Sequence, residues 1–379
     1  MHKKFLSVLL VLMLFAALTG CGSKSEPKTE SQKESTPPAA SDAPVSSDTV
    51  KIAFVPSGSP QPLINTNNSI FADELKKLGK KVEFEPTRSL DDVWPMMDKK
   101  VGSPDFVNIP IGNFATYVTG KSRFGGSDKY TLIAGSMNRD GSVIISRPEI
   151  KSLKDLDGKK VGIANLRYVD EYQLEQTLAT VGLKTTENGG TVKVVWDDIV
   201  YKLIENFGKG EYDAICMYGS ENYSVAMSKV QGSKILISLN PNGLFGKEAP
   251  RYWLVAKRDL VENNPELVKA VLRGHVLSTE KAIVDIDKLP ALCREATLKW
   301  YRDKRAKMDD VLKINTLEKF QRSWNKVQPT YDPNVKYATD IFKYLERKDL
   351  LNGKTSDNFV QLDLLKEVLK EMGKPDLAS

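Results

Sequence analysis

The sequence predicts an α/β fold of two lobes, each a mainly parallel sheet flanked by helices. Three observations predict it. Past Thr49, short apolar strands alternate with amphipathic helices, the pattern of parallel β-α-β units. The scheme then begins again near Ser152, with two local echoes. Gly79-Lys80-Lys81-Val82 returns as Gly158-Lys159-Lys160-Val161, and Gly102-Ser103-Pro104-Asp105 is matched by Gly210-Glu211-Tyr212-Asp213. After Tyr252–Ala256, read as the last strand, the chain is almost wholly helical. That block holds too little strand for a domain of its own, so it is expected to pack back on the first lobe.

The elements follow in order. Val50–Val55 reads as a strand, with Pro56-Ser57-Gly58-Ser59-Pro60 as the loop after it. Ile70, Phe71, Leu75 and Leu78 mark one helix face, closed by Gly79. Val82 and Phe84 alternate in a strand that Pro86 ends, and Ser89 to Asp92 is a capping box for the next helix. Asp105–Ile109 is a third strand. In the second stretch Ser152 to Asp155 is another capping box, and Val161–Ala164 a strand. Leu174, Leu178 and Val181 form a helical stripe ended by Gly182. Val192–Val195 is a strand, Ile199, Leu203, Ile204 and Phe207 a helix face, and Asp213–Met217 a strand. Pro265 after two asparagines opens a long helix, and further helices run to about Leu369.

The N-terminus has a different character. His2, Lys3 and Lys4 precede an apolar run, Phe5 to Leu18, that is short for a membrane span and suits a secretory signal. It runs into Leu18-Thr19-Gly20-Cys21, small residues before a thiol, which is the order a lipoprotein signal requires. Residues 1–20 are thus read as signal and Cys21 as the lipidated residue. From Gly22 to Asp48 the chain is rich in Ser, Thr, Lys, Glu, Pro and Ala and has no aromatic residue. Such a segment cannot offset its ordering entropy by burial. As a coil it would span roughly 30 Å, a tether between membrane and body. The expected localisation is extracytoplasmic, with the chain lipid-anchored to the cell membrane.

Composition excludes much chemistry. The net charge of +6 is spread along the chain without a like-charged block, which argues against nucleic acid. Beyond the signal the sole histidine is His275, inside a helix, and it reads as a structural residue. There is no Gly-x-Ser-x-Gly elbow, His-Glu-x-x-His, Cys-x-x-Cys, Walker loop or dinucleotide fingerprint. Cys216 and Cys293 read as buried free thiols. The acid pairs Asp91/Asp92, Asp170/Glu171 and Asp197/Asp198 suit helix starts better than acid–base work. The chain is therefore read as a non-enzyme without metal or cofactor.

Several segments in one order carry a family resemblance. Lys51-Ile52-Ala53-Phe54-Val55-Pro56-Ser57-Gly58 resembles an opening strand and ligand loop, and Gly102 to Val107 a Gly-x-x-Asp-apolar step. Ile150 to Gly162 (IKSLKDLDGKKVG) is the most specific match, followed by Gly210–Ala214 and Asn264–Ala270. Together they resemble the substrate-binding lipoproteins of ABC importers, in the sulfonate, taurine, nitrate, phosphonate and thiamine-pyrimidine branch. The resemblance implies a type II periplasmic-binding-protein-like fold with two crossing strands and a cleft that closes on a small molecule. It also implies a permease and an ATPase as partners of a monomeric receptor. Lobe one would comprise 49–138 and 250–379, and lobe two 139–249.

Ligands of open α/β sheets sit outside the carboxyl ends of the strands. On that rule the ligand-binding candidates in lobe one are Ser57, Ser59, Arg88, Asn108 and Asn113, with Asn138, Arg139 and Tyr252 near the hinge. Lobe two offers Asn165, Arg167, Tyr168, Tyr218, Ser220 and Glu221. Arg88, Arg139 and Arg167 suit an oxyanion through forked hydrogen bonds. Tyr168, Tyr218, Tyr252 and Trp253 suit a flat heteroaromatic ring, with Asp170 or Glu221 taking an amino group. The reading inclines to the oxyanion. Asn165-Leu166-Arg167-Tyr168-Val169-Asp170 stands where anion binders of the family present a Gly/Ser/Thr-rich turn, and so counts against it. A sensor subunit for a membrane kinase and a surface enzyme are the alternative roles; neighbouring genes distinguish the first, turnover of a bound ligand the second.

Overall fold

The structure is a computed structural model. It describes residues 48–87, 90–120, 125–139, 141–164, 167–197, 199–217, 220–238, 249–325 and 327–377, with backbone alone at Leu90, Asp91, Arg167, Ser220 and Glu221. The signal, Cys21, the tether and Ser89 lie outside the described residues.

The chain opens with β1 (Thr49–Phe54), α1 (Pro60–Ile64), α2 (Ile70–Lys76), β2 (Lys81–Pro86), α3 (Leu90–Met97), β3 (Phe106–Pro110), α4 (Ile111–Thr119) and β4 (Tyr130–Arg139). A second group follows: β5 (Val143–Ser146), β6 (Lys160–Ala164), α5 (Arg167–Ala179), β7 (Lys193–Asp197), α6 (Val200–Lys209), β8 (Ala214–Met217), α7 (Ser220–Lys229) and β9 (Lys234–Ser238). The return begins with β10 (Ala249–Lys257), α8 (Arg258–Asn263), α9 (Pro265–Val284), α10 (Leu289–Asp303) and α11 (Met308–Ile314). It ends with α12 (Leu317–Trp324), β11 (Gln328–Pro329), α13 (Val335–Arg347) and α14 (Asp363–Glu371).

Two sheets organise these elements, a six-stranded one in the order β11-β4-β10-β3-β1-β2 and a five-stranded one in the order β7-β6-β8-β5-β9. They share a topology. β1 is parallel to β2 and β3 as β6 is to β7 and β8, and β10 runs antiparallel beside β3 as β5 does beside β8. The echo at Gly102 and Gly210 marks that equivalence. Asp105 enters β3 and accepts from the Lys51 amide of β1 at 3.0 Å; Asp213 enters β8 and accepts from the Lys160 amide of β6 at 2.8 Å. The other echo is only a shared turn. Gly79 and Gly158 both sit at φ +68°, where a side chain would strain the backbone, but they lead into strands that are not equivalent.

The core of the first lobe lies on both faces of its sheet, and the C-terminal helices supply much of it. Val268, Val271, Leu272 and Val276 of α9 pack on Val50, Ile52 and Phe106. Phe342 of α13 lies between Phe114, Trp253 and Phe359, with ring centroids 5.4–6.0 Å apart. The second lobe closes its own core around Ile145, Ile163, Leu178, Phe207 and Ile215.

Three expectations need correction. β4, β5 and β9 are not among the expected strands: Thr131, Ser136 and Asn138 break the apolar run of β4, which is nevertheless buried along nearly its whole length, and β5 and β9 have apolar runs of only three residues. Tyr252–Ala256 is not the last strand, since β11 adds two residues beside β4. Leu78 and Ile199 are 41% and 56% exposed, because each falls just outside its helix rather than on the buried face. The Ser152 capping box forms as expected and opens a short 3-10 turn, Leu153–Leu156. Among the described residues no helix is long and apolar enough to cross a membrane.

His275 is fully buried, and its Nε2 lies 2.7 Å from the Gly135 carbonyl oxygen. Burial pulls its pKa down from 6.5 to about 4, against the hydrogen bond. The unfolded chain therefore binds the proton first, and stability falls as pH drops through this window. His275→Gln should remove about 2.5 kcal/mol of stability change between pH 7.5 and 4.5, read as the difference in urea unfolding from the parent.

Candidate functional site

β1 ends at Phe54, and a 3-10 turn, Pro56–Gly58, leads to Ser59, which opens α1 and is fully buried. Asn108 stands near the end of β3, in register with Phe54 on one side and Leu254 on the other. Asn113 lies in the first turn of α4, where its carbonyl accepts from the Trp94 indole at 3.1 Å. Asn138, at the end of β4, pairs with Pro250 and Gln328. The topology thus sets all four on the carboxyl edge of the larger sheet. Their side-chain oxygens are buried and have no hydrogen-bond partner. Such a group costs about 1–3 kcal/mol unless something else satisfies it.

The other predicted residues of this lobe divide. Tyr252 is half-buried, with its ring flat on Gly58, where a Cβ would come within 2.1 Å of it. Arg139 is buried opposite Ala249, with interactions inside the protein. Ser57 faces solvent from the 3-10 turn. Arg88 lies outside the described residues.

Lobe two meets this edge through α5. The chain leaves the larger sheet at Arg139 and joins the smaller one at Val143, with Ser142 buried between. The Ser142 hydroxyl donates to Asp170 Oδ1 at 2.6 Å, and Tyr223 donates to the Gly141 carbonyl at 3.1 Å. Asp170 Oδ2 has no partner. Tyr168 is 4% exposed and belongs, with Val169 and Tyr172, to the same apolar cluster as Phe114 and Tyr337 of lobe one. Asn165 and Tyr218 lie outside the described residues, as do the side chains of Arg167, Ser220 and Glu221.

Sequence reasoning missed Arg251, 3% exposed and two positions from the Ala249–Arg139 pair. It also left Asp170 a secondary candidate. Within a strand of mixed polarity nothing marks one arginine as buried. Burial raises the Asp170 pKa to about 7, although the Ser142 hydrogen bond and the Arg251 charge pull it down. Among the described residues no cluster of His, Cys, Asp and Glu could hold a metal ion. A separate cavity of about 910 Å³ lies between Phe54, Phe84, Pro86 and α10.

Residues 129–285 match the NMT1/THI5-like family. Among solved structures, the aliphatic sulphonate-binding protein SsuA of Escherichia coli superposes with a TM-score of 0.57 at 15% identity, over 83% of this chain and 92% of its own. The nitrate-binding protein NrtA of Synechocystis gives 0.54 at 14%, over 86% and 90%. The desulfurization enzyme DSZB gives 0.51 at 12%, over 86% and 100%. No curated protein matches the chain. The NMT1/THI5-like stretch spans the two crossings between the sheets, and the fold is that of the periplasmic binding proteins.

A folded-state pKa above the unfolded one makes Asp170 cost stability as pH rises from 3.8 to about 7, after which the cost is constant. Asp170→Asn keeps the size without the charge. Its stability relative to the parent should grow by about 3 kcal/mol between pH 4.5 and 7.5, read by urea unfolding of the ligand-free protein. The slope is opposite to that of His275, so in the parent the two nearly offset.

Proposed function

We propose that the chain is the extracytoplasmic solute-binding component of an ABC-type importer, anchored by lipid at Cys21, and that it binds a small oxyanion between its lobes. The supporting observation is the set of unsatisfied buried oxygens on Ser59, Asn108, Asn113 and Asn138 along one sheet edge, together with the unsatisfied Asp170 Oδ2 in the first turn of α5. A polar molecule seated there would satisfy them, and the fold is one that in SsuA and NrtA serves sulphonate and nitrate binding.

Charge favours the oxyanion. Arg139 and Arg251 are both buried beside the crossings, and each guanidinium carries five N–H donors. The Asp170 carboxyl, half protonated near pH 7, opposes them only in part. The serine hydroxyl can donate, and an asparagine amide turned end for end presents N–H instead of oxygen. Docking to a permease and an ATPase, and a monomeric state, belong to the same proposal.

The Asp170 oxygen favours a second reading, an amino-bearing heteroaromatic such as a pyrimidine, whose N–H would bond the ionised carboxylate. The two readings titrate in opposite senses. Oxyanion affinity should fall up to tenfold per pH unit above about 7, as Asp170 ionises. Affinity for the amine should instead fall below pH 7.

A thermal-shift panel of sulfonates, phosphonates, nitrate and aminopyrimidines on the purified protein tests the proposal. A true ligand at ~100 times its dissociation constant should add ~2.7 kcal/mol. Asn108→Leu or Asn113→Leu should weaken the hit about tenfold with the fold intact. A flat panel would sink the oxyanion assignment, and turnover of a bound compound would move the protein to the enzymes, where DSZB shares its fold.

A further inference from the structure

Apart from the candidate site, the two lobes also meet through the middle of α5. The middle of α5 lies against α13, a helix of the C-terminal block. Tyr172 packs on Tyr337 and Tyr344, with ring centroids 6.5 and 5.5 Å away. Gln173 Nε2 donates to the Tyr337 hydroxyl at 2.9 Å, and the Tyr344 hydroxyl donates to Glu175 at 3.3 Å. Just past α13, Lys348 Nζ stands 2.7 Å from Glu187, 3.4 Å from Glu175 and 3.8 Å from Glu171, all on lobe two. Glu171 and Glu175 are largely buried there, and Lys348 is the cation they share.

We propose that this contact is a clamp, with Lys348 as its key positioning residue. It fixes α5 to lobe one and thereby holds the first turn of α5, including Asp170, at the ligand site. Asp170 and Glu171 are adjacent on one helix turn, so a shift of the clamp moves the carboxyl by a similar distance. Removing Lys348 would take away a cation shared by three carboxylates of lobe two, two of them largely buried, and so weaken the attraction across the contact. The clamp favours the closed arrangement before any ligand arrives and slows the opening that releases one. Its role in release rests on the interlobe reading given above; its role in holding α5 does not.

Hydrogen exchange of the full-length protein separates the two. In the ligand-free protein, Lys348→Glu should lower the protection of residues 167–179 by roughly tenfold or more, while strands β6 and β8 keep theirs. Lys348→Arg, which retains the charge, should restore it. Equal protection of α5 in parent and Lys348→Glu would overturn the clamp, as would a loss shared by β6 and β8, which would signal general destabilisation. Stopped-flow release of ethanesulfonate is the second arm. If the parent binds it, Lys348→Glu should raise koff by roughly tenfold with little change in kon. If the parent does not bind it, ethanesulfonate is excluded as the ligand and the exchange result alone decides the clamp.

Discussion

The antiparallel pair of β4 and β10 is the constraint on which the rest depends. The two strands lie side by side from Tyr130–Lys257 to Arg139–Ala249, and both are almost wholly buried. At that last pair one strand leaves for the second lobe and the other has just returned from it. The crossing to the second lobe therefore starts where a buried ladder ends. Trp253, in the middle of β10, ties the ladder to the C-terminal block: its indole donates to the Pro333 carbonyl at 3.3 Å and its ring stacks on Phe342. The same ladder sets Asn138 and Arg139 opposite Pro250 and Ala249, so site, hinge and C-terminal helices share one register.

The repeated topology explains how two lobes of little shared sequence come to face each other. In each, an aspartate before the third strand captures a main-chain amide of the first, at Lys51 and at Lys160. The reciprocal bonds, Asp105 amide to Lys51 carbonyl and Asp213 amide to Lys160 carbonyl, are both 2.9 Å. This pins the central strands at their amino ends and leaves the carboxyl ends, with their loops, free to differ. Variation in those loops alters the site without disturbing the sheet. Ser59, Asn108 and Asn113 stand in such positions.

Legibility followed from how each strand meets solvent. β1, β2, β3, β6, β7 and β8 show short apolar runs beside turn glycines, and periodicity finds them. β4 and β5 are buried on both faces; polar residues interrupt β4, and the apolar run of β5, Val143–Ile145, is only three residues long. The rule about carboxyl ends of strands picks out Ser59, Asn108, Asn113 and Asn138, which do lie on the carboxyl edge of the larger sheet, because it needs only topology. It could not separate Ser57 from Ser59, which differ by the direction in which a 3-10 turn aims them. It also could not find Arg251, whose burial depends on a strand partner far away in sequence.

α5 joins the lobes largely through polar contacts. Its buried residues include Asp170, Glu171, Gln173 and Thr177, an unusual set for a helix wedged between a sheet and a neighbouring lobe. A permanent contact gains most from apolar side chains, since every buried polar group must find a partner. Here the partners come from across the gap: Gln173 with Tyr337, Glu175 with Tyr344, and Tyr172 with Asp340 at 3.3 Å. The match is incomplete, for Gln173 Oε1 and Asp170 Oδ2 stay buried without a hydrogen-bond partner. Such atoms cost free energy in a dry contact and are relieved where water reaches them, so under the proposed interlobe binding they narrow the free-energy gap that a ligand must bridge.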